Sequence, residues 1–234
     1  MVEMSPGQAR EYWKALMDNA TSLLKDSYLL LSAESFGRAR SLMVLAQEEL
    51  GKALWIYDAF EDAWSQGDET PRAVAKLAQH GRSHTKKYFE AAVYSTELDG
   101  FWGDHSRTAD LGASPEAWDA HFARQHTQAE AAAREANAAK QQGFYVDRDS
   151  NGTISSPSAI PAGTTAKDLR VAAQVIEMLL INDHVRMKHT AVTPYDSTHD
   201  QQFRLLPISH PEDWEAFVRS RDGGPNDAEA QPSE

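Results

Sequence analysis

Along most of this chain apolar residues recur at three- and four-residue intervals, the spacing that lines up side chains on one face of an α-helix. Tyr12, Leu16, Met17, Ala20, Leu23, Leu24, Ser27 and Leu31 make the first such stripe. It follows Ser5-Pro6-Gly7-Gln8, which has the form of a capping box with proline at the first helical position. A second helix is expected from about residue 33 to residue 64, stopping near Gly67. Thr70-Pro71 opens a third, running to about Thr96, with Val74, Leu77, Gly81, His84, Tyr88 and Ala91 on one face. Residues 98–113, rich in Gly, Asp and His, read as a loop. Ser114-Pro115 caps a fourth helix, from Glu116 to about Gln141. The fifth, from about Ala166 to Thr190, is apolar nearly all round between Val171 and Ile181 and is expected to be the most buried. A short sixth helix starts at Ser209-His210-Pro211-Glu212 and ends near Arg219.

The helical pattern breaks over residues 143–157. There Phe144-Tyr145-Val146 and Thr153-Ile154-Ser155 flank an Asn151-Gly152 turn, the signature of a small β-hairpin. Residues 219–234 are dominated by Gly, Pro, Asp, Glu, Ala and Ser, and are expected to be a disordered acidic tail. The predicted fold is therefore all-α. About five long helices bundle into a single domain over residues 1–218, with a hairpin insertion and a short C-terminal helix.

Composition narrows the function. With 234 residues the chain can bury a proper core, and the absence of cysteine removes disulfide and thiolate chemistry. A reducing cytoplasm is the simplest compartment. The N-terminus lacks the basic-then-apolar form of a signal peptide, and Tyr28–Leu31 and Val175–Ile181 are too short to span a membrane. A formal net charge of −12 argues against a protein that coats nucleic acid; a basic cleft would have to be built by the fold. There is no Walker loop, Rossmann fingerprint, nucleophile elbow or HExxH, so no cofactor is expected.

The segment Arg40–Lys52 carries the most chemistry. On a 3.6-residue period Leu42, Leu45, Ala46, Glu49, Ala53, Ile56, Tyr57 and Phe60 share a face, which sets Glu49 inside the apolar stripe. An unpaired carboxylate there costs several kcal/mol, so either a cation from another helix meets it or it belongs to a polar site inside the bundle. His80 and His84, four apart on the third helix, could be two packed or surface histidines. They could equally serve a substrate or, together with Glu48 or Glu49, a metal. On the fifth helix Asn182, Arg186 and His189 continue an otherwise apolar face. That face either enters a cleft, where Arg186 neutralises Glu49 or grips a phosphate, or emerges into solvent at the helix end. Asp147–Ile154 matches the first eight positions of a calcium loop, but the twelfth is Ser158 where a glutamate is needed; hairpin-turn chemistry accounts for the same residues.

Three segments together resemble the AbiV family of bacterial abortive-infection proteins: Glu48-Glu49-Leu50-Gly51-Lys52, His84-Thr85-Lys86-Lys87, and Gly143-Phe144-Tyr145-Val146-Asp147. The likeness covers about residues 10–190. That family is grouped with the HEPN superfamily. The resemblance implies a helical bundle, a homodimer, and defence against phage, through metal-independent RNA cleavage or another attack on translation. An interaction module binding a phage protein or a toxin–antitoxin partner is the alternative. Superfamily RNases carry Arg followed four to six residues later by His; here only Arg204 and His210 have that spacing, with Pro207 between them. For an RNase, the expected catalytic set is His84, Arg186 and His189, with Glu49 and Lys52 as an internal ion-pair framework and Asn182 orienting the phosphate.

Overall fold

A computed structural model describes residues 3–106, 108–109, 111–112, 114–190 and 192–222. The capping box forms: the Ser5 hydroxyl accepts from the Gln8 amide at 3.2 Å, and the Gln8 side chain accepts from the Ser5 amide at 2.9 Å. It opens α1 (Pro6–Ser32), which packs along α2 (Phe36–Gln66) as a helical hairpin. Gly67, at φ 71°, supplies the left-handed residue that ends α2.

The third helix differs from expectation. Arg72–Ala73 (β2) pairs antiparallel with Glu3–Met4 (β1), so Pro71 does not open a helix. Helix α3 spans only Ala75–His80, and α4 begins afresh at His84 and ends at Tyr94. The cause is local. Gly81 is a poor helix former, and Ser83 takes an extended conformation in which its hydroxyl caps α4 by accepting from the Lys86 amide. His80 and His84 therefore do not share a helix face.

Helix α5 (Leu98–Phe101) is a single turn inside the expected loop, followed by α6 (Pro115–Phe144). The hairpin is present but short, Asp147–Arg148 (β3) against Ile154–Ser155 (β4). The Asp149 carboxylate accepts from the amides of Asn151 at 2.9 Å and Thr153 at 2.8 Å, so the turn itself engages the acid that a calcium loop would need. Helix α7 (Thr165–His189) is deeply buried, as its composition predicts. The expected sixth helix is α9 (Pro211–Asp222), and an unexpected helix, α8 (Gln202–Ser209), precedes it with Pro207 inside. Residues 219–222 thus belong to a helix, and the remainder of the expected tail, 223–234, lies outside the described residues.

Helix α2 is the axis of the molecule, touching α1, α4, α6 and α7. The core around it includes Trp13, Met17, Leu50, Phe60, Ile176 and Leu180, all at most 1% exposed. A helix packed on several sides has no single apolar stripe, and this corrects the placement of the carboxylates. Leu42, Leu45, Glu49 and Lys52 lie on its less buried side, while Glu48 is 2% exposed. No described helix is long and apolar enough to cross a membrane.

Two glycines let the flanking helices approach α2. A Cβ on Gly51 would sit 1.9 Å from the Lys87 carbonyl oxygen of α4, and one on Gly143 would sit 2.1 Å from the Gly37 carbonyl of α2. Gly51→Ala must push α4 backbone away and is expected to destabilise by about 1–3 kcal/mol. Gly7→Ala, whose Cβ meets nothing closer than 4.0 Å, is the matched control and should be neutral or stabilising in thermal unfolding.

Candidate functional site: a buried glutamate under an exposed histidine

Those two close approaches bring three basic side chains onto Glu48. Its Oε1 accepts from Lys140 Nζ of α6 at 2.5 Å, and its Oε2 lies 3.1 Å from Lys87 Nζ and 2.6 Å from His84 Nδ1, both of α4. Both lysines are buried with it. Burial pushes the Glu48 carboxyl upward, but hydrogen bonds from Lys140 and His84 and the nearby ammonium charges outweigh it, holding the group below its ordinary 4.5.

His84 differs from the two lysines in being 51% exposed at its side chain. With Nδ1 turned to a carboxylate, its Nε2 is left for an external partner, the arrangement that orients an imidazole for proton transfer. Arg82 and Lys86, to either side, are exposed as well. In a chain of net charge −12, the start of α4 thus presents a local basic edge around an imidazole.

The other expected site residues lie elsewhere. Glu49 and Lys52 pair with each other, one turn apart on α2, at 2.7 Å. Asn182 is exposed and donates to the Tyr94 hydroxyl at 3.0 Å, and His189 is exposed at the last position of α7. Arg186 does not reach Glu49. It is buried near the C-terminal end of α2, bound to Asp183 by Nε at 3.1 Å and Nη2 at 2.8 Å. Asp183 also receives both Nη groups of Arg10 from α1, at 2.9 and 2.7 Å, and Arg10 reaches on to Asp196 at 3.0 and 3.1 Å. Both guanidinium groups lie against the Trp64 ring, at 5.4 and 5.5 Å from its centroid. At about 1.5 Å of rise per residue, Glu48 and Trp64 are about 24 Å apart along α2. His84 and Arg186 therefore belong to separate clusters.

Arg204 and His210, which alone have the Arg-to-His spacing, are also divided. Arg204 donates to Asp18 at 2.6 Å and Ser22 at 3.0 Å on α1, while His210 lies between α8 and α9, 3.2 Å from the buried Glu177. His80 packs beside the Trp55 ring. Among the described residues no group of three or more His, Asp or Glu is arranged to hold a metal ion.

Sequence reasoning passed over Glu48, Lys87 and Lys140 as partners, yet one signal was available. Glu48 precedes Gly51 by three residues and Lys140 precedes Gly143 by three, so each charge shares a helix face with a glycine. A glycine in mid-helix marks a close helix contact, and a charge on that same face points into it.

No curated protein and no solved structure matches the chain significantly. A family model described as AbiV, of the HEPN class, does match, over residues 8–177, a span that contains the whole Glu48 cluster. The chain belongs to the AbiV family of HEPN-type proteins, a membership that points to abortive infection and defence against phage.

Proposed function

We propose that the protein is an abortive-infection effector that cleaves RNA without a metal, with His84 as its acid–base group. What supports this reading above all is the pairing of a half-exposed imidazole with a buried carboxylate, itself fixed by two buried lysines. His84 Nε2 takes the proton from a ribose 2′-hydroxyl, and the 2′-oxygen attacks the adjacent phosphorus. As the bond to the 5′-oxygen breaks, the imidazolium returns a proton to it, leaving a 2′,3′-cyclic phosphate and a 5′-hydroxyl. Glu48 orients the ring and stabilises the imidazolium, while Arg82 and Lys86 face the phosphate backbone.

His84→Ala is expected to slow RNA cleavage in EDTA by about 100-fold to 10,000-fold, the usual worth of an acid–base group. It should leave the protein folded, since Lys87 and Lys140 still pair with Glu48, and abolish phage protection. Cleavage at the wild-type rate overturns the assignment. A non-catalytic interaction module is the second reading, favoured by the internal commitments of Arg186, Arg204 and His210. Protection that survives His84→Ala but fails on charge reversal of exposed residues along one helix would select it.

A further inference from the structure

The joint between α8 and α9 rests on one face of α7. Arg170, Gln174 and Glu177, at helical spacing, reach it in turn. Arg170 donates to Glu212 at 3.1 Å, Gln174 donates to the Ser209 carbonyl at 3.1 Å, and the Glu177 carboxylate lies 3.2 Å from His210 Nε2. These contacts matter because none of residues 211–220 is buried. A helix with so little buried surface opens at low cost, so the joint decides whether α9 stays docked.

The third contact is unlike the other two. Glu177 is 3% exposed, and neither its Oε2 nor His210 Nε2, both buried atoms, has a regular hydrogen bond among the described residues. The two face each other at ion-pair distance, and the Trp102 ring stands edge-on to the imidazole with 5.3 Å between centroids. Burial pushes the Glu177 carboxyl upward, against the opposing pull of His210 and the Ser209 hydroxyl. Glu212 and Arg170 also face the joint, but they pair with each other and keep their charges between about pH 6 and pH 8.

We propose that Glu177 and His210 form a proton-held joint: α9 is docked while the pair keeps one proton between them and is released when that proton is lost. Buried, the pair is neutral as a whole only with a single proton, on the imidazole or on the carboxyl. Released, both groups return to water, where near pH 8 carboxyl and imidazole are bare. Docking at that pH takes up a proton, so it weakens as the pH rises. Near pH 6 most of the released imidazole already carries the proton, and docking is favoured. Release frees the chain from His210 onward and uncovers more of Trp102. The proposal stands whether or not His84 cleaves RNA.

Hydrogen exchange of the full chain at about pH 6 and pH 8, corrected for the intrinsic rate, tests it. Protection of the α9 amides should fall at least about fivefold from the lower to the higher pH. In Glu177→Gln, which keeps the shape and loses the charge, α9 protection should be the same at both. Glu177→Met, apolar and of similar length, should behave likewise. Amides of α1 are the internal reference and should not follow α9. Equal protection of wild-type α9 at both pH values overturns the proposal, as does a pH dependence that persists in both variants. A parallel loss in α1 would place the effect in global stability and overturn it too.

Discussion

Glu48→Gln is expected to destabilise the protein by about 3–5 kcal/mol, the cost of removing one partner from a buried ionic cluster. For a chain of this size that lowers the melting temperature by roughly 10 °C. The loss is large because it is shared: Lys87 and Lys140 remain buried, with no carboxylate between their ammonium groups. The effect carries its own pH signature. The Glu48 carboxyl is held below its ordinary value in the folded chain, so the unfolded chain takes up the proton more readily. Its stabilisation is complete above about pH 4.5 and fades as the pH falls through the lower folded value. Denaturant titrations of wild type and Glu48→Gln should therefore differ most near neutrality and converge in acid. A constant gap across that window would assign the loss to packing rather than charge.

Asp183→Ala is the second large effect, also about 3–5 kcal/mol. Asp183 receives both Arg10 and Arg186; without it Arg10 keeps Asp196, while Arg186 keeps the Thr193 hydroxyl and the charge of Glu61 but no bonded carboxylate. Arg186 itself is 8% exposed, so the stranded charge stays in the interior unless the structure opens. Trp64 reports the outcome. Its ring lies beside both guanidinium groups, and its indole N–H donates to the Pro6 carbonyl at 2.9 Å. Water admitted around the arginines should shift tryptophan emission to the red before global unfolding. An unshifted spectrum with wild-type stability would show that the cluster adds little.

Much of the architecture was legible because its signals are local. The Ser5 capping box, the Gly67 stop, the Ser114 cap and the Asn151-Gly152 turn each specify a backbone conformation within a few residues. The break between α3 and α4 was also written locally, in Gly81 and Ser83, but an apolar spacing that continued across it concealed the stop. The site was harder to read because it depends on rotation about the α2 axis. A stripe assigned to one face put Glu49 inside, whereas contacts from α1, α4, α6 and α7 leave almost no outer face and bury its neighbour Glu48. Adjacent residues on a helix point about 100° apart, so a small error in phase exchanges one acid for the other. His84 was singled out from its place on the third helix, not from its contact with Glu48. The partners of Glu48 come from positions 36 and 92 residues away in the chain, and no local spacing could specify them.

The separation of the two ionic clusters along α2 has a dynamic consequence. One fastens α4 and the end of α6, the other fastens α1 and α7, and only the first rests on a carboxylate with three basic neighbours from outside its own helix. Loss of the Glu48 carboxylate therefore unlatches one flank while the far end of the axis stays clamped, giving a sub-global opening in place of collapse. Backbone amides of α4 would then exchange with solvent ahead of those of α1 and α7, and the imidazole would be carried on the most readily loosened wall of the molecule.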